Sequence, residues 1–333
     1  MRRRTLLRAA LAAGTASAAG VALPAAAPAQ TGWTPARPVT LVVPFAAGGT
    51  TDAMARLVAG PMGRVLGQSV VVENTTGAGG TIGAARVARA APDGHTLLFA
   101  HVGVLAVNPH LYERLQYDPR RDFRPVGLVG TNPMVLIVSN RSGITTLDGF
   151  RERAGRGGLM AGTSGTGTTL HLGAVQAFAA AGGRGEMIPY RGEAPALNDL
   201  IAGTVDMIVS QGFNAIPPVL AGRARALAVT GPSRLPELPG VPTAAEAGLP
   251  GLDLQVWNAI VLPRGASDAI AAAHTAALAA ALDDPQVQAR FAQFSARAPA
   301  PAERAPGHLA ALIESEGRRW GELLRAAGVE KER

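Results

Sequence analysis

The sequence predicts an α/β protein built as two lobes, with the chain crossing between them twice. Short β-branched runs alternate with stretches of helical period from Pro38 onward. The same rhythm restarts after Ser139. One late strand, Leu254–Leu262, leads back to the first lobe before three closing helices. The lobes fall at 37–137 plus 256–329 and at 138–255, with residues 1–29 outside both. Clefts between two such lobes are where small ligands sit.

In the first lobe, Val39-Thr40-Leu41-Val42-Val43 reads as a buried strand, followed by the Gly-rich turn Phe45–Asp52. A helix follows over about Ala53–Leu66, with Met54, Leu57, Val58, Met62 and Val65 on one face. Gly60-Pro61 is expected to kink or split it, because proline lacks the helical N–H donor. Ser69–Glu73 is the next strand, then the Gly-rich stretch Thr76–Gly83, a helix at about Ala84–Ala90, the turn Pro92-Asp93-Gly94 and a strand at Thr96–Ala100. This βαβαβ order predicts a parallel sheet with helices on both faces.

The second lobe opens after the apolar strand Met134–Ser139. Gly158–Ala161 is a short strand, a Gly/Thr/Ser turn follows, and a helix covers about Thr169–Ala181. Strands at Met187–Tyr190, Met207–Val209 and Arg225–Thr230 alternate with helices at Glu193–Ala202 and Ala215–Ala221. The closing helices are placed near Ala266–Leu282, Pro285–Phe294 and Pro306–Ala327.

The N-terminal segment has the pattern of a secretory signal. Arg2, Arg3, Arg4 and Arg8 precede a weakly apolar Ala-rich stretch, and Ala27-Pro28-Ala29 offers a cleavage site before Gln30. Arg3-Arg4-Thr5-Leu6-Leu7 fits a twin-arginine export signal; a Sec signal is the alternative. The expected location is the periplasm. The chain has no cysteine, which excludes disulfides, cysteine metal sites and a lipoprotein anchor. Its formal charge of +7 falls to +3 once those four arginines are subtracted, since their segment holds no acid. No arginine run is interleaved with aromatics, which argues against nucleic-acid binding.

The chemistry concentrates in two turns, Phe45–Asp52 and Gly162–Thr169. Each follows a strand and opens a helix, where the first N–H groups lack internal partners and the helix dipole is positive. Glycines let an anion approach that backbone. The candidate ligand-binding residues are Phe45, Ala47, Gly48, Gly49, Thr50 and Asp52 in the first turn, and Thr163, Ser164, Gly165, Thr166 and Thr168 in the second, with His171 and Tyr190 beside it. The competing reading makes these ordinary strand–helix turns with Thr, Ser and Asp as N-caps, Asp52 in particular capping its own helix. Asp52 could otherwise accept from an amino or hydroxyl group of a ligand. Tyr190-Arg191-Gly192 could put a phenol or guanidinium at the cleft, with a solvated turn arginine as the alternative. The Gly77–Gly83 turn reads as structural.

Enzyme readings fit poorly. The first turn has no lysine and is not a phosphate-binding loop. Gly77-x-Gly79 is followed by Ile82 where a dinucleotide fingerprint wants glycine. Gly162-Thr163-Ser164-Gly165-Thr166 lacks the last glycine of a nucleophile elbow. The six histidines show no metal-ligand spacing, so neither metal nor cofactor is expected.

Several stretches resemble the substrate-binding proteins of tripartite tricarboxylate transporters, the Bug receptors. They are Val42–Asp52, Val72–Gly83, Ala91–Leu98 and Tyr117-Asp118-Pro119-x-x-Asp122-Phe123, then Gly165-x-Gly167 with His171-Leu172 and Pro189-Tyr190-Arg191-Gly192 with Ala194-Pro195-Ala196. Leu238–Thr243, Glu246-Ala247-Gly248, Trp257 and Glu316 with Trp320 follow in the same order. The resemblance spans about residues 37–328. It implies a type II periplasmic-binding-protein fold, a Venus flytrap with two interlobe crossovers, which captures a carboxylate and passes it to a two-component membrane permease. It also implies that the carboxylate is held by Phe45–Asp52 and Thr163–Thr168, largely through backbone groups and waters. The sequence departs from the family pattern at His95, where tyrosine is usual, at Asn258-Ala259, and across 295–307.

The expected protein is thus a monomeric, non-enzymatic periplasmic receptor with a small carboxylate ligand and permease subunits as partners. The alternatives are an exported α/β hydrolase or dehydrogenase using Ser164 and His171 or the Gly77 turn, and a ligand-sensing protein serving a signalling partner.

Overall fold

The computed structural model describes residues 32–332. The expected signal peptide lies outside the described residues.

Strands β1 (Val39–Val43), β2 (Val70–Asn74) and β3 (Thr96–His101) form the parallel set the βαβαβ order predicts, with β1 central. The sheet is mixed beyond them. Strand β4 (Phe123–Ser139) runs out of this lobe and β9 (Gln255–Pro263) runs back. An outgoing and a returning strand lie antiparallel, and β9 inserts between β3 and β4. Residues Phe123–Pro133 of β4 pair with β9, whereas Met134–Ser139 pair with β7 (Met207–Gln211) and β8 (Ala224–Val229). Beyond β7 lie the parallel strands β5 (Leu159–Thr163) and β6 (Gly185–Pro189). The full order is β2-β1-β3-β9-β4-β7-β5-β6, with β8 also on β4. Two sheets therefore share one strand, and the partner change at Pro133–Met134 marks the outward crossing.

Only the second half of β4 is legible as a strand in the sequence. Its first half contains Pro125, Gly127, Gly130 and Pro133, which read as loop residues. Register shifts between Pro125 and Gly127 and between Leu128 and Gly130 accommodate them as bulges. Thr230 ties the two crossings together: its hydroxyl accepts the Met134 N–H at 2.8 Å and also bonds the Leu254 carbonyl.

Helix α1 (Thr50–Leu66) begins three residues before the expected start and runs unbroken through Pro61, contrary to the expected split. Its buried face, with Met54, Val58 and Met62, packs with helices α8 (Asp268–Asp283) and α9 (Pro285–Gln293) on one side of the first sheet. On the other side, α2 (Thr81–Ala88), α10 (Pro306–Ala326) and α5 (Thr169–Ala180) bury a core that continues from one sheet to the other, with Trp320 at 0 % exposure. Helices α6 (Glu193–Ala202) and α7 (Gly212–Leu220) cover the second sheet's remaining face. Helix α4 (Leu147–Arg156) flanks α5 through Phe150 and Phe178. A π-turn at Gly103–Val107 and the short α3 (Asn108–Leu111) were not legible from periodicity. Among the described residues no helix is long and apolar enough to cross a membrane.

Two predictions follow from this packing. A Cβ on Gly173 of α5 would come within 2.5 Å of the Val209 side chain on β7. Glycine-to-alanine in a helix interior normally stabilises by about 1 kcal/mol. Here overpacking reverses the sign, and Gly173→Ala should cost about 1–3 kcal/mol in urea unfolding. The second concerns acid. Burial brings His274 down to about 4, against its Nε2 contact with the Gly94 carbonyl at 2.9 Å, and brings His101 down to about 3. Folded values below the unfolded 6.5 mean that the unfolded chain binds more protons in this window. Stability is then full above pH 6.5 and is lost as pH falls, by up to about 1.4 kcal/mol per unit for each histidine. Urea midpoints between pH 7.5 and about 4.5 should fall in the wild type and fall less steeply in His274→Gln; equal slopes would remove His274 from the account.

Candidate ligand site at two helix N-termini

The first turn leaves β1 at Val43 and enters α1 through Gly49, its N-cap, whose backbone is extended and which provides no side-chain cap. Gly48 has φ +86°, a conformation that glycine tolerates. Residues 46–49 are exposed, while Thr50, Thr51 and Asp52 are buried, and the Thr50 Oγ1 has no hydrogen-bond partner.

Asp52 is not the N-cap that one sequence reading expects. It lies in the helix's first turn and staples the loop: its Oδ2 accepts the Gly48 N–H at 2.9 Å, and both oxygens accept Arg56 Nε at 3.0–3.1 Å. Asn74 Nδ2 donates to Asp52 Oδ1 and to the Phe45 carbonyl, each at 2.9 Å. Burial opposes ionisation here, but Arg56, the Gly48 N–H and Asn74 outweigh it and hold the carboxyl below its usual range. Arg56 and these donors offset the Asp52 charge in the first turn of α1 and occupy its lone pairs.

The second turn leaves β5 at Thr163 and enters α5 through Thr168. The cap residue type matches the competing expectation, but its chemistry does not. Thr168 Oγ1 donates to the Gly165 carbonyl at 2.6 Å instead of accepting a helix N–H. Gly165 and Gly167 take φ +100° and +77°. Helices α4, α8 and α9 are capped by the side chains of Thr146, Ser267 and Asp284, whereas α2, α6, α7 and α10 start without a side-chain cap, as α1 and α5 do. Ser164 and Thr166 are half-buried within the turn, and Thr163 is buried with its Oγ1 3.4 Å from the Ile188 carbonyl.

His171 sits in the first turn of α5, where burial holds it neutral against the opposing influence of Glu332. The Tyr190 hydroxyl is turned away from the expected cleft role and donates to Asp199 on α6 at 2.7 Å. Burial and the Asp199 carboxylate push this phenol up to about 12.

The second turn is seated against first-lobe residues that sequence reasoning passed over. A Cβ on Gly79 would lie 2.5 Å from the Thr166 carbonyl, and one on Gly167 would lie 2.5 Å from Asn108 Oδ1. Gly103 lies similarly tight against the Gly167 carbonyl. The first turn reaches the same neighbourhood: the Phe45 ring stacks on His101 at 4.4 Å and 12°, close to Gly80. The Gly103 N–H donates to His101 Nδ1 at 2.9 Å, which fixes the neutral ring with its proton on Nε2. On the opposite flank, Phe213 of α7 packs edge-on against Phe294 at 5.1 Å, and Gly212 lies against Ser295. The lobes thus meet on two flanks. The only advance signal for the Gly79 seat was the Gly-rich run itself, and His101 and Asn108 carried none.

Two cavities lie apart from these turns. One, of about 430 Å³, borders the crossings at Thr131, Thr230 and Asp253 and includes Trp257. The other, of about 760 Å³, lies between α3 and α10 and includes His110 and Tyr112. No residue of either candidate turn lines them.

Comparison with known proteins places this geometry in a family. MatC (Rpa3494) of Rhodopseudomonas palustris, solved with bound malate, is 37 % identical with a TM-score of 0.80, covering 87 % of this chain and 99 % of that one. The periplasmic binding protein BugD is 38 % identical with a TM-score of 0.81, covering 90 % and 100 %. Rpa4515 of R. palustris, solved with adipate, is 34 % identical with a TM-score of 0.81, covering 90 % and 99 %. The two-lobe fold with its two crossovers is therefore that of the periplasmic binding proteins. Residues 54–329 match the tripartite tricarboxylate transporter family receptor, TctC, and the chain belongs to that family of solute-binding receptors, which are not enzymes.

Proposed function

We propose that this receptor captures a small carboxylate between the Phe45–Asp52 and Thr163–Thr168 turns and delivers it to a two-component membrane permease. One observation carries the reading. Both turns run from a strand into a helix whose N-terminus has no side-chain cap, and both reach the region where the lobes meet, at Phe45 on His101 and at Thr166 on Gly79. Uncapped N–H groups at two facing helix ends want an acceptor, and a carboxylate supplies one with the charge the dipoles favour. The malate and adipate bound to MatC and Rpa4515 support the same ligand class.

In this reading the lobes are 37–137 plus 256–329 and 138–255. Phe45, Ala47, Gly48, Gly49 and Thr50 offer the first wall, with Asp52 holding its shape. Thr163, Ser164, Gly165, Thr166 and Thr168 offer the second, with neutral His171 in the first turn of its helix and Tyr190 behind it. Each helix end contributes about 0.3–1 kcal/mol when exposed and up to about 2 when partly buried, so useful affinity needs both ends and a closed cleft. The protein acts as a monomer in the periplasm after export through its 1–29 signal, of twin-arginine type, with cleavage near Ala29–Gln30.

The test is a thermal-shift panel of mono-, di- and tricarboxylates, amino acids, sugars and nucleotides on refolded, ligand-free protein. A ligand at about a hundred times its Kd adds about 2.7 kcal/mol, a rise of several degrees. Shifts confined to a carboxylate class are expected; a response to nucleotides alone would discard the reading. Gly49→Asp separates binding from folding. Its Cβ has ordinary space, 3.8 Å from the Ala46 carbonyl, and the new carboxylate would cap α1 itself. The ligand-free protein should gain a few tenths of a kcal/mol while carboxylate affinity falls by about tenfold or more. Calorimetry showing unchanged affinity would remove the first turn from the site.

A further inference from the structure

Tyr112 ends α3 in extended conformation, and its hydroxyl donates across the cleft to the Thr166 carbonyl at 3.1 Å. That carbonyl belongs to the turn that opens α5. The base beneath Tyr112 is rigid. Asn108 donates to the Gly79 carbonyl at 3.3 Å and to Tyr117 Oη at 3.2 Å, and Tyr117 in turn donates to the Val104 carbonyl at 2.8 Å.

The segment after α10 then braces Tyr112 from behind. The Glu332 N–H donates to the Leu111 carbonyl at 2.7 Å, and the Glu113 N–H donates to the Glu332 carbonyl at 2.8 Å, so that Glu332 pairs with Tyr112 as a short parallel bridge. Lys331 Nζ donates to the Pro109 carbonyl at 3.1 Å. The Glu332 charge bears on both Tyr112 and His171, one in each lobe. Burial and that carboxylate push the Tyr112 phenol up to about 12, so it remains a donor at any physiological pH.

We propose that Tyr112, braced by Lys331–Glu332, is a positioning residue that latches the Thr163–Thr168 turn to the first lobe and sets how long a bound ligand is retained. This rests on the carboxylate reading above for its ligand, but not for the latch itself. A latch made only in the closed form slows opening and leaves encounter with the open form untouched. Its loss therefore appears in dissociation, not association.

The experiment compares wild type, Tyr112→Phe, Glu332→Pro and the double variant. It reads malate kinetics by stopped flow and, without ligand, amide hydrogen exchange across Thr166–Leu172. Losing one neutral hydrogen bond should speed malate dissociation by about two- to tenfold in Tyr112→Phe with association unchanged. Glu332→Pro, which removes the Glu332 N–H donor, should do the same. The double variant should be no faster than the faster single, because both act through one contact. Exchange at the start of α5 should quicken in all three. Wild-type dissociation and exchange in Tyr112→Phe would overturn the latch, and multiplying effects in the double variant would overturn the bracing role. Absence of malate binding by the wild type bears on the ligand reading alone, and the exchange data then decide the latch.

Discussion

A helix whose first N–H groups are shut away from water must find partners for them, and in the reading proposed above α1 and α5 begin that way, without side-chain caps. This chain caps α4, α8 and α9 with threonine, serine and aspartate at 3.1, 3.3 and 2.8 Å and leaves α2, α6, α7 and α10, like α1 and α5, without a side-chain cap. At α1 the cap is Gly49, and at α5 the Thr168 hydroxyl is spent as a donor to Gly165. The cost of burying such donors unpaired is of order 1–3 kcal/mol each. In the proposed reading, shutting the cleft therefore imposes a demand for an acceptor.

Close approach of backbone is the second requirement, and it explains the glycines. Gly79, Gly103 and Gly167 lie where a Cβ would strike a carbonyl or amide oxygen of the opposing lobe. The second turn meets the first lobe through main chain, with few side chains between. In the proposed reading, recognition built from backbone donors is indifferent to what lies beyond the carboxylate; the similar structures of MatC and Rpa4515 hold malate and adipate. The shape of the first turn instead depends on a charged staple. Asp52 takes Gly48, Arg56 and Asn74 at once, and Asn74 reaches on to Phe45. Its negative charge is offset by Arg56 at 3.0 Å.

Much of this was legible in the sequence, for identifiable reasons. The β-branched run Val39–Val43 and the alternation after it gave the parallel strands β1, β2 and β3, and helix α6 has the bounds its period indicated. Both Gly/Thr turns stand where strand gives way to helix. What period and composition could not reveal is what tertiary structure decides. The first half of β4 hides behind prolines and glycines that bulges absorb. Pro61 does not break α1, whose face holds Met54, Val58 and Met62 in the core. Caps depend on which way a hydroxyl points, so Thr168 and Asp52 carried the right residue types with the wrong expected roles. Tyr190 looked available until Asp199, nine residues on, claimed its hydroxyl. His101, Asn108 and Tyr112 are single residues in a stretch with no clear period, and only the folded chain brings them to the cleft.

The two flanks of the cleft differ in kind, and that difference bears on how closure is governed. On one flank Phe213 meets Phe294 edge-on, and Ser295 Oγ lies 3.4 Å from Glu237, a loose apolar and polar contact. On the other, backbone seats on backbone with one phenolic hydrogen bond across. The one ion pair between the lobes among the described residues, Arg319 of α10 with Asp253, lies at the returning crossing just before β9, and each flank contact is worth about 1 kcal/mol. To move a two-state equilibrium from mostly open to mostly closed takes about 5.5 kcal/mol of differential affinity. Contacts of this size can bias the equilibrium but cannot set it alone. In the proposed reading the larger share comes from a ligand that satisfies the starts of α1 and α5 together. On the proposed reading such a ligand shifts the equilibrium further toward the closed form, because it makes its second set of hydrogen bonds only there.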